Sequence, residues 1–220
     1  VNFIFVMHNI VDKLIAIEKE IQEKSDKTKV IAVSKTFSMK EILPLINHGH
    51  KDFGENKVQE AVEKWTSIKQ DFTHINLHMI GKIQTNKVKF VVPLFDFIHS
   101  LDNLKLAEKI AREQKKYKKN IKIFIQVNIG NETQKSGVKT ENLKDFFNEC
   151  KNNLNLNIIG LMCIPPVNQS SEQFFKKMNF LSNELDLNEL SMGMSQDYLN
   201  ATLNNASYVR IGSKIFGQRS

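Results

Sequence analysis

The chain has 220 residues, of which 41% are hydrophobic and 25% charged, and it carries a formal net charge of +7. This length fits one domain with an ordinary buried core and excludes a disordered, charge-dominated chain. The basic balance favours anionic partners, whether phosphates, nucleic acid or acidic membrane surfaces, and by itself chooses none of them.

The opening stretch Val1-Asn2-Phe3-Ile4-Phe5-Val6-Met7 is apolar but far too short to span a membrane. It also lacks the basic start and small-residue cleavage site of a signal peptide. Residues 1–6 are read as a start lying ahead of Met7, just before a helical pattern begins. That helix is expected from His8 to Lys24, with Ile10, Leu14, Ile17 and Ile21 along one face. Lys29 to Ser34 has the pattern of a short buried strand, and Ser38 with Glu41 forms a capping box for the next helix. Lys51 to Phe53 reads as a strand, Lys57 to Lys69 as a helix, Ile75 to Ile80 as a strand and Gln84 to Val92 as a helix. Asp96 to Ser100 is the next strand, and Leu104 to Lys116 the next helix. Ile121 to Val127, rich in β-branched residues, is the clearest strand. Then follow a helix from Leu143 to Lys151, a strand from Leu156 to Leu161 and a helix from Ser171 to Asn183. A strand from Glu189 to Met192, a helix from Asp197 to Leu203 and a strand from Tyr208 to Ile211 complete the pattern. Eight strands alternating with helices predict parallel βαβ units. The count favours a single (β/α)8 TIM-type barrel over residues 1–220, with an extra N-terminal helix, above an open doubly wound sheet.

In such a barrel the functional groups sit at the C-terminal ends of the strands. The first strand runs into Val33-Ser34-Lys35-Thr36, which puts Lys35 at the mouth, partly out of water. Desolvation lowers a lysine's pKa, and a neutral amine forms a Schiff base with an aldehyde; a solvated loop lysine would read the same way. The second strand leads to Asn56, a neutral donor and acceptor at the mouth or a cap on the following helix. The third carries His78, more simply structural, and leads to Gln84, Asn86 and Lys87, a polar helix start suited to an anion or another subunit. The last two strands lead to Ser195 and to Arg210-Ile211-Gly212-Ser213. Loops after strands seven and eight commonly hold phosphate in these barrels. The hydroxyls of Ser195 and Ser213 and the bare backbone at Gly212 suit a phosphate dianion, although Ser and Gly are also ordinary turn residues.

The stretches IAVSKTFSMKEI, DFGENKVQEAVEKW, LHMIGKIQTNKVK, GLMCIPP, LSMGMSQDYLNA and VRIGSKIFGQR occur in order over nearly the whole chain. On these stretches the chain resembles the YggS/PROSC family of pyridoxal phosphate homeostasis proteins. The resemblance implies a barrel of the alanine racemase N-terminal kind that holds pyridoxal 5′-phosphate as a Schiff base on Lys35. It implies phosphate contacts from Ser195, Gly212 and Ser213, with Gly-Ser standing where the family often has Gly-Thr. It places Arg210 opposite the pyridine nitrogen and Asn56 near the ring. It further implies intracellular cofactor homeostasis without robust catalytic turnover, with apo forms of cofactor-dependent enzymes as partners. A cytoplasmic monomer is expected, with no catalytic residue, metal, nucleic acid or membrane partner.

Arginine only donates and stays charged, so opposite the pyridine nitrogen it leaves a weaker electron sink than a carboxylate would. Racemases on this barrel also use arginine, so an amino-acid racemase is the alternative. Those enzymes add a β-rich domain supplying a tyrosine acid/base, whereas this chain ends soon after its last strand and has only Tyr117, Tyr198 and Tyr208. Without a second acid/base, racemisation is poorly supported. A basic nucleic-acid-binding module is the second alternative, resting on net charge and the run from Lys115 to Lys119, which more simply marks a solvated helix end. Cys150 and Cys163 read as reduced, buried thiols, and His48-Gly49-His50 lacks a third metal ligand. Trp65 and the fifteen phenylalanines are read as core.

Overall fold

The computed structural model describes residues 2–217, with side chains from Asn9 onward. The strands are β1 (Lys29–Val33), β2 (Asp52–Glu55), β3 (Asn76–Met79), β4 (Phe97–Leu101), β5 (Lys122–Val127), β6 (Ile158–Cys163), β7 (Glu189–Met194) and β8 (Tyr208–Ile211). They close into a parallel barrel in chain order, with Ile31 of β1 opposite Arg210 of β8 and Ala32 opposite Phe53 of β2. Closure explains why Val30, Ile31, Ala32 and Val33 are all buried: one face meets the barrel interior and the other the helices.

The helices are α1 (Asn2–Gln22), α2 (Met39–His48), α3 (Val58–Trp65), α4 (Ile68–Asp71), α5 (Val88–Leu94), α6 (Leu104–Tyr117), α7 (Leu143–Asn148), α8 (Ser171–Glu184), α9 (Tyr198–Leu203) and α10 (Ser213–Phe216). The expected stripe Ile10, Leu14, Ile17 and Ile21 is buried, and α1 packs against α2, α9 and α10. The extra helix thus completes the outer layer over the seam between β8 and β1. Glu41 accepts from both the N–H and the hydroxyl of Ser38 at 2.8 Å, so the predicted capping residues do meet. No helix among the described residues is long and apolar enough to cross a membrane.

The main core lies between strands and helices. A second, smaller one fills the barrel itself: Ile31, Phe97, Phe124, Met162 and Tyr208. Polar side chains of β3, β4, β7 and β8 lie in the same interior, and they include Arg210.

Several boundaries differ from expectation for local reasons. The helix of α1 begins at Asn2 rather than His8. The helix expected over 57–69 breaks after Trp65, where the Thr66 hydroxyl donates back to the Val62 carbonyl at 2.6 Å and competes with the helical ladder. The helix expected to reach Lys151 turns into a π-helical stretch over Glu149–Asn153. Strand β7 runs two residues past Met192, through Gly193 at φ +89°. A Cβ on Gly193 would collide with the Ala201 side chain of α9, so only glycine serves there. Trp65 is core, but among the described side chains, which exclude Phe3 and Phe5, Phe180 is 61% exposed on α8 and Phe90 is 39% exposed with the Lys89 ammonium 4.9 Å from its ring.

Candidate functional site at the mouth of the barrel

Lys35 stands two residues past the end of β1, half-buried at the C-terminal end of the barrel. Its neighbours are clamped from β2 and α3. The Ser34 N–H donates to the Gly54 carbonyl at 3.0 Å, and its hydroxyl donates to Glu55 Oε1 at 2.7 Å. The Lys64 ammonium donates to the Ser34 carbonyl and to Glu55 Oε1, both at 2.9 Å, and to Glu60 Oε1 at 3.0 Å. Glu60 in turn accepts the Thr36 N–H at 2.5 Å. Trp65 Nε1 donates to Glu55 Oε1 at 2.9 Å, while Glu55 Oε2 has no partner among the described residues. Thr36 sits at φ +70°, a left-handed conformation that a β-branched residue adopts only under constraint. One residue before this strained turn and two past the strand, Lys35 has little backbone freedom.

Asn56 follows β2 directly and is half-buried. It does not cap α3, whose cap position is Lys57 with no side-chain bond to the helix. Its backbone lies against Gly81, where an added Cβ would come 2.7 Å from the Asn56 Cα. The Ser100 hydroxyl holds the Gly81 carbonyl at 2.7 Å. Gly81 is therefore the residue that lets the loops after β2 and β3 approach each other.

The two expected phosphate loops are neighbours in space as in chain order. After β7, Asp197 Oδ1 accepts the Met194 N–H at 2.7 Å and the Asp197 N–H donates back to the Met194 carbonyl at 3.0 Å, which presents half-buried Ser195 on a tight turn. After β8, Gly212 lies so close to β1 that an added Cβ would be 3.4 Å from the Val33 Cβ. Exposed Ser213 opens α10, whose first N–H groups have no acceptor within the helix. Two hydroxyls and the opening N–H groups of α10, beside the strand that leads to Lys35, match a phosphate dianion in chemistry.

Arg210 lies within the barrel and is only 5% exposed. Its Nη1 donates to Ser191 Oγ at 2.7 Å and its Nη2 to the Cys163 carbonyl at 2.8 Å. Both partners are neutral, and among the described residues no carboxylate pairs with it. Burial pushes its pKa down, yet arginine starts from roughly 12 or higher and stays cationic. Below it, His99 Nδ1 lies 2.8 Å from Ser191 Oγ, His99 Nε2 is 2.9 Å from His78 Nδ1, and His78 Nε2 is 3.0 Å from Asp52 Oδ1. Burial, then His78 and the cationic Arg210, hold His99 well below the ordinary histidine value. Burial outweighs the Asp52 hydrogen bond and holds His78 below it too. Burial raises the Asp52 carboxyl, but hydrogen bonds from His78 and Asn76 bring it out below its usual value.

Thus Lys35, Asn56, Ser195, Gly212 and Ser213 gather at the ends of four consecutive strands, β7, β8, β1 and β2, with Arg210 within β8 itself. Gln84, Asn86 and Lys87 lie on the loop after β3 instead, with Gln84 and Asn86 exposed. Tyr198 opens α9 just after the Ser195 turn, but its hydroxyl is hydrogen-bonded to Glu20 of α1 and accepts from Lys214 at 3.4 Å. Sequence reasoning missed the clamp of Glu55, Lys64 and Glu60, whose legible trace was the Glu60–Lys64 spacing of four. It also missed His99 and Ser191. Residues two apart on a strand share a face, but Arg210 marks the inward face of β8 alone, so no signal in β4 or β7 singled out His99 or Ser191.

Comparison with known proteins gives a consistent set of relatives. Residues 12–220 match the family model described as alanine racemase, N-terminal domain. The pyridoxal phosphate homeostasis protein of Aquifex aeolicus is 39% identical, with 87% of each chain covered. That of Haemophilus influenzae is 34% identical, covering 98% of this chain and 96% of its own. Among solved structures, PipY of Synechococcus elongatus, determined with PLP bound, superposes with a TM-score of 0.86 at 30% identity, covering 94% of this chain and all of that one. The alanine racemase of Corynebacterium glutamicum, at 14% identity and TM-score 0.69, shares the fold, and this chain covers 61% of its length.

Proposed function

The chain belongs to the family of pyridoxal phosphate homeostasis proteins, on the barrel of the alanine racemase N-terminal domain, and on that premise we propose that it binds pyridoxal 5′-phosphate covalently through Lys35 and serves intracellular homeostasis of that cofactor. The observation that carries this reading is the buried Arg210, which has no carboxylate partner among the described residues, next to the strand that leads to the clamped turn of Lys35. An unpaired buried charge is costly, and such a cost persists where a ligand uses the charge. Ser195, Gly212 and Ser213 supply the phosphate donors, Arg210 the donor for the ring nitrogen, and Asn56 a neutral polar group beside the ring. When bound, pyridoxal phosphate supplies an electron-withdrawing ring, weaker where its nitrogen faces a permanent cation than where it faces a carboxylate.

The positions of the tyrosines support a carrier above a racemase. Tyr198 is engaged with Glu20, Tyr208 fills the barrel interior and Tyr117 lies on the end of α6. A racemase needs a second acid/base at the substrate carbon, and the hydroxyl of Tyr198, which opens α9 just after the Ser195 loop, is held by Glu20 and Lys214 instead. Delivery to apo forms of cofactor-dependent enzymes, by a cytoplasmic monomer, completes the proposal. Titration with pyridoxal phosphate tests it. A visible absorption band should appear and be lost in Lys35→Ala, and amino acids should show no α-proton exchange in deuterated buffer. Exchange at enzymatic rates would replace the carrier with the racemase, and a colourless mixture would remove the cofactor altogether.

A further inference from the structure

We propose that His99 is the positioning residue for Arg210, acting as its neutral Nε2–H tautomer within a one-way hydrogen-bond chain that runs from Arg210 through Ser191, His99 and His78 to Asp52. The chain crosses the barrel interior from within β8 to the first residue of β2 at the closed end, with successive contacts of 2.7, 2.8, 2.9 and 3.0 Å.

The two ends fix its direction. A guanidinium has donors only, so Ser191 Oγ accepts from Arg210. The other partner of that hydroxyl among the described residues is His99 Nδ1, so the hydroxyl proton points there and Nδ1 accepts it. A neutral histidine that accepts at Nδ1 carries its proton on Nε2, and this N–H faces Nδ1 of His78. By the same step His78 accepts at Nδ1 and donates from Nε2 to the Asp52 carboxylate, which only accepts. Each interior member donates once and accepts once, so the buried chain has no unmatched polar atom along it. The opposite direction fails at Ser191, which would accept from both Arg210 and His99 and leave its own hydrogen without a partner among the described residues. Stacking keeps the rings in plane: His78 lies on Phe97 at 4.2 Å and His99 on Phe124 at 4.4 Å.

With both histidines neutral, the charge of Arg210 is answered by Asp52 only through the chain. The remaining guanidinium N–H groups are left for a neutral acceptor at the mouth. That last step rests on the reading of Arg210 given above, whereas the tautomers do not depend on it.

The test therefore has two parts. Long-range 1H–15N correlation on cofactor-free protein labelled at histidine reads the tautomers at pH 7. Both His78 and His99 should carry their proton on Nε2, and an Nδ1–H or doubly protonated ring at either position would overturn the chain. The second part follows cofactor release in His99→Phe and His99→Asn, with attachment at Lys35 checked by mass. His99→Phe should release pyridoxal phosphate about tenfold faster and shift its absorption band, the loss expected for one hydrogen bond supporting a charged group. His99→Asn, whose amide oxygen replaces Nδ1 towards Ser191, should recover most of both effects. Equal release and an unshifted band in His99→Phe would overturn the positioning role. If the unsubstituted protein takes up no cofactor, the proposed function fails, and the tautomers alone decide the chain.

Discussion

Replacing Lys64 with methionine tests how the Lys35 turn is held. The Lys64 side chain is 9% exposed, and it bridges the Ser34 carbonyl, Glu60 and the fully buried Glu55. Methionine keeps most of the apolar stem and removes the charge. Among the described residues, Glu55 would then be a buried carboxylate held by the Ser34 hydroxyl and the Trp65 indole alone, with Oε2 already unpartnered. Breaking one side of a buried pair costs about 3–5 kcal/mol. At roughly 2–4 °C per kcal/mol for a domain of this size, the melting temperature should fall by ~10 °C. Urea unfolding of Lys64→Met, Glu55→Gln and the double variant gives the coupling. The double variant should regain about 2 kcal/mol over Lys64→Met, because the orphaned charge is gone while an amide still accepts from Ser34 and Trp65. A loss below about 1 kcal/mol in Lys64→Met would refute the clamp, since that is the value of an ordinary exposed pair.

Other expectations follow from the same geometry. His78 and His99 are held below the ordinary histidine pKa in the fold, so the unfolded chain binds more protons as pH drops through about 6.5 and stability must fall with it. The slope approaches 1.4 kcal/mol per pH unit per histidine, measured as urea midpoints from pH 7.5 to 5; a flat profile would show that the rings are not buried neutral. Asp52 is depressed instead, so its contribution is lost only at pH below the ordinary aspartate value. Gly81→Ala should drive a methyl into the Asn56 backbone, costing about 1–3 kcal/mol of stability and weakening cofactor uptake; unchanged uptake would separate Asn56 from the site. Cys150 and Cys163 are buried, with thiols pushed up to about 12, so a thiol reagent should label them only on unfolding. Rapid labelling in native buffer would contradict that burial.

The barrel was legible because each strand is a short apolar run between amphipathic helices, and β-branched clusters such as Ile121 to Val127 cannot be read as helix. The mouth was legible because Lys35, Asn56, Ser195, Gly212 and Ser213 each lie within two residues of the end of a strand, and strand ends alone define that face. Helix ends were less readable, since one hydroxyl at Thr66 or a π-helical stretch after Asn148 decides them. The interior polar chain was not readable as a unit. Asp52, His78, His99, Ser191 and Arg210 come from five strands, and only closure of the barrel brings them within hydrogen-bond distance. Glu55 presents the same difficulty: a charged residue at a strand end suggests exposure, yet it is fully buried because Lys64, Ser34 and Trp65 converge on it from other segments.

The central claim is that one lysine among many holds pyridoxal phosphate. Borohydride reduction of the protein mixed with the cofactor, followed by peptide mapping, measures it directly. The added mass should fall on the peptide containing Lys35 and be absent from that of Lys35→Ala. A label spread over surface lysines, or one that persists unchanged in Lys35→Ala, would contradict it.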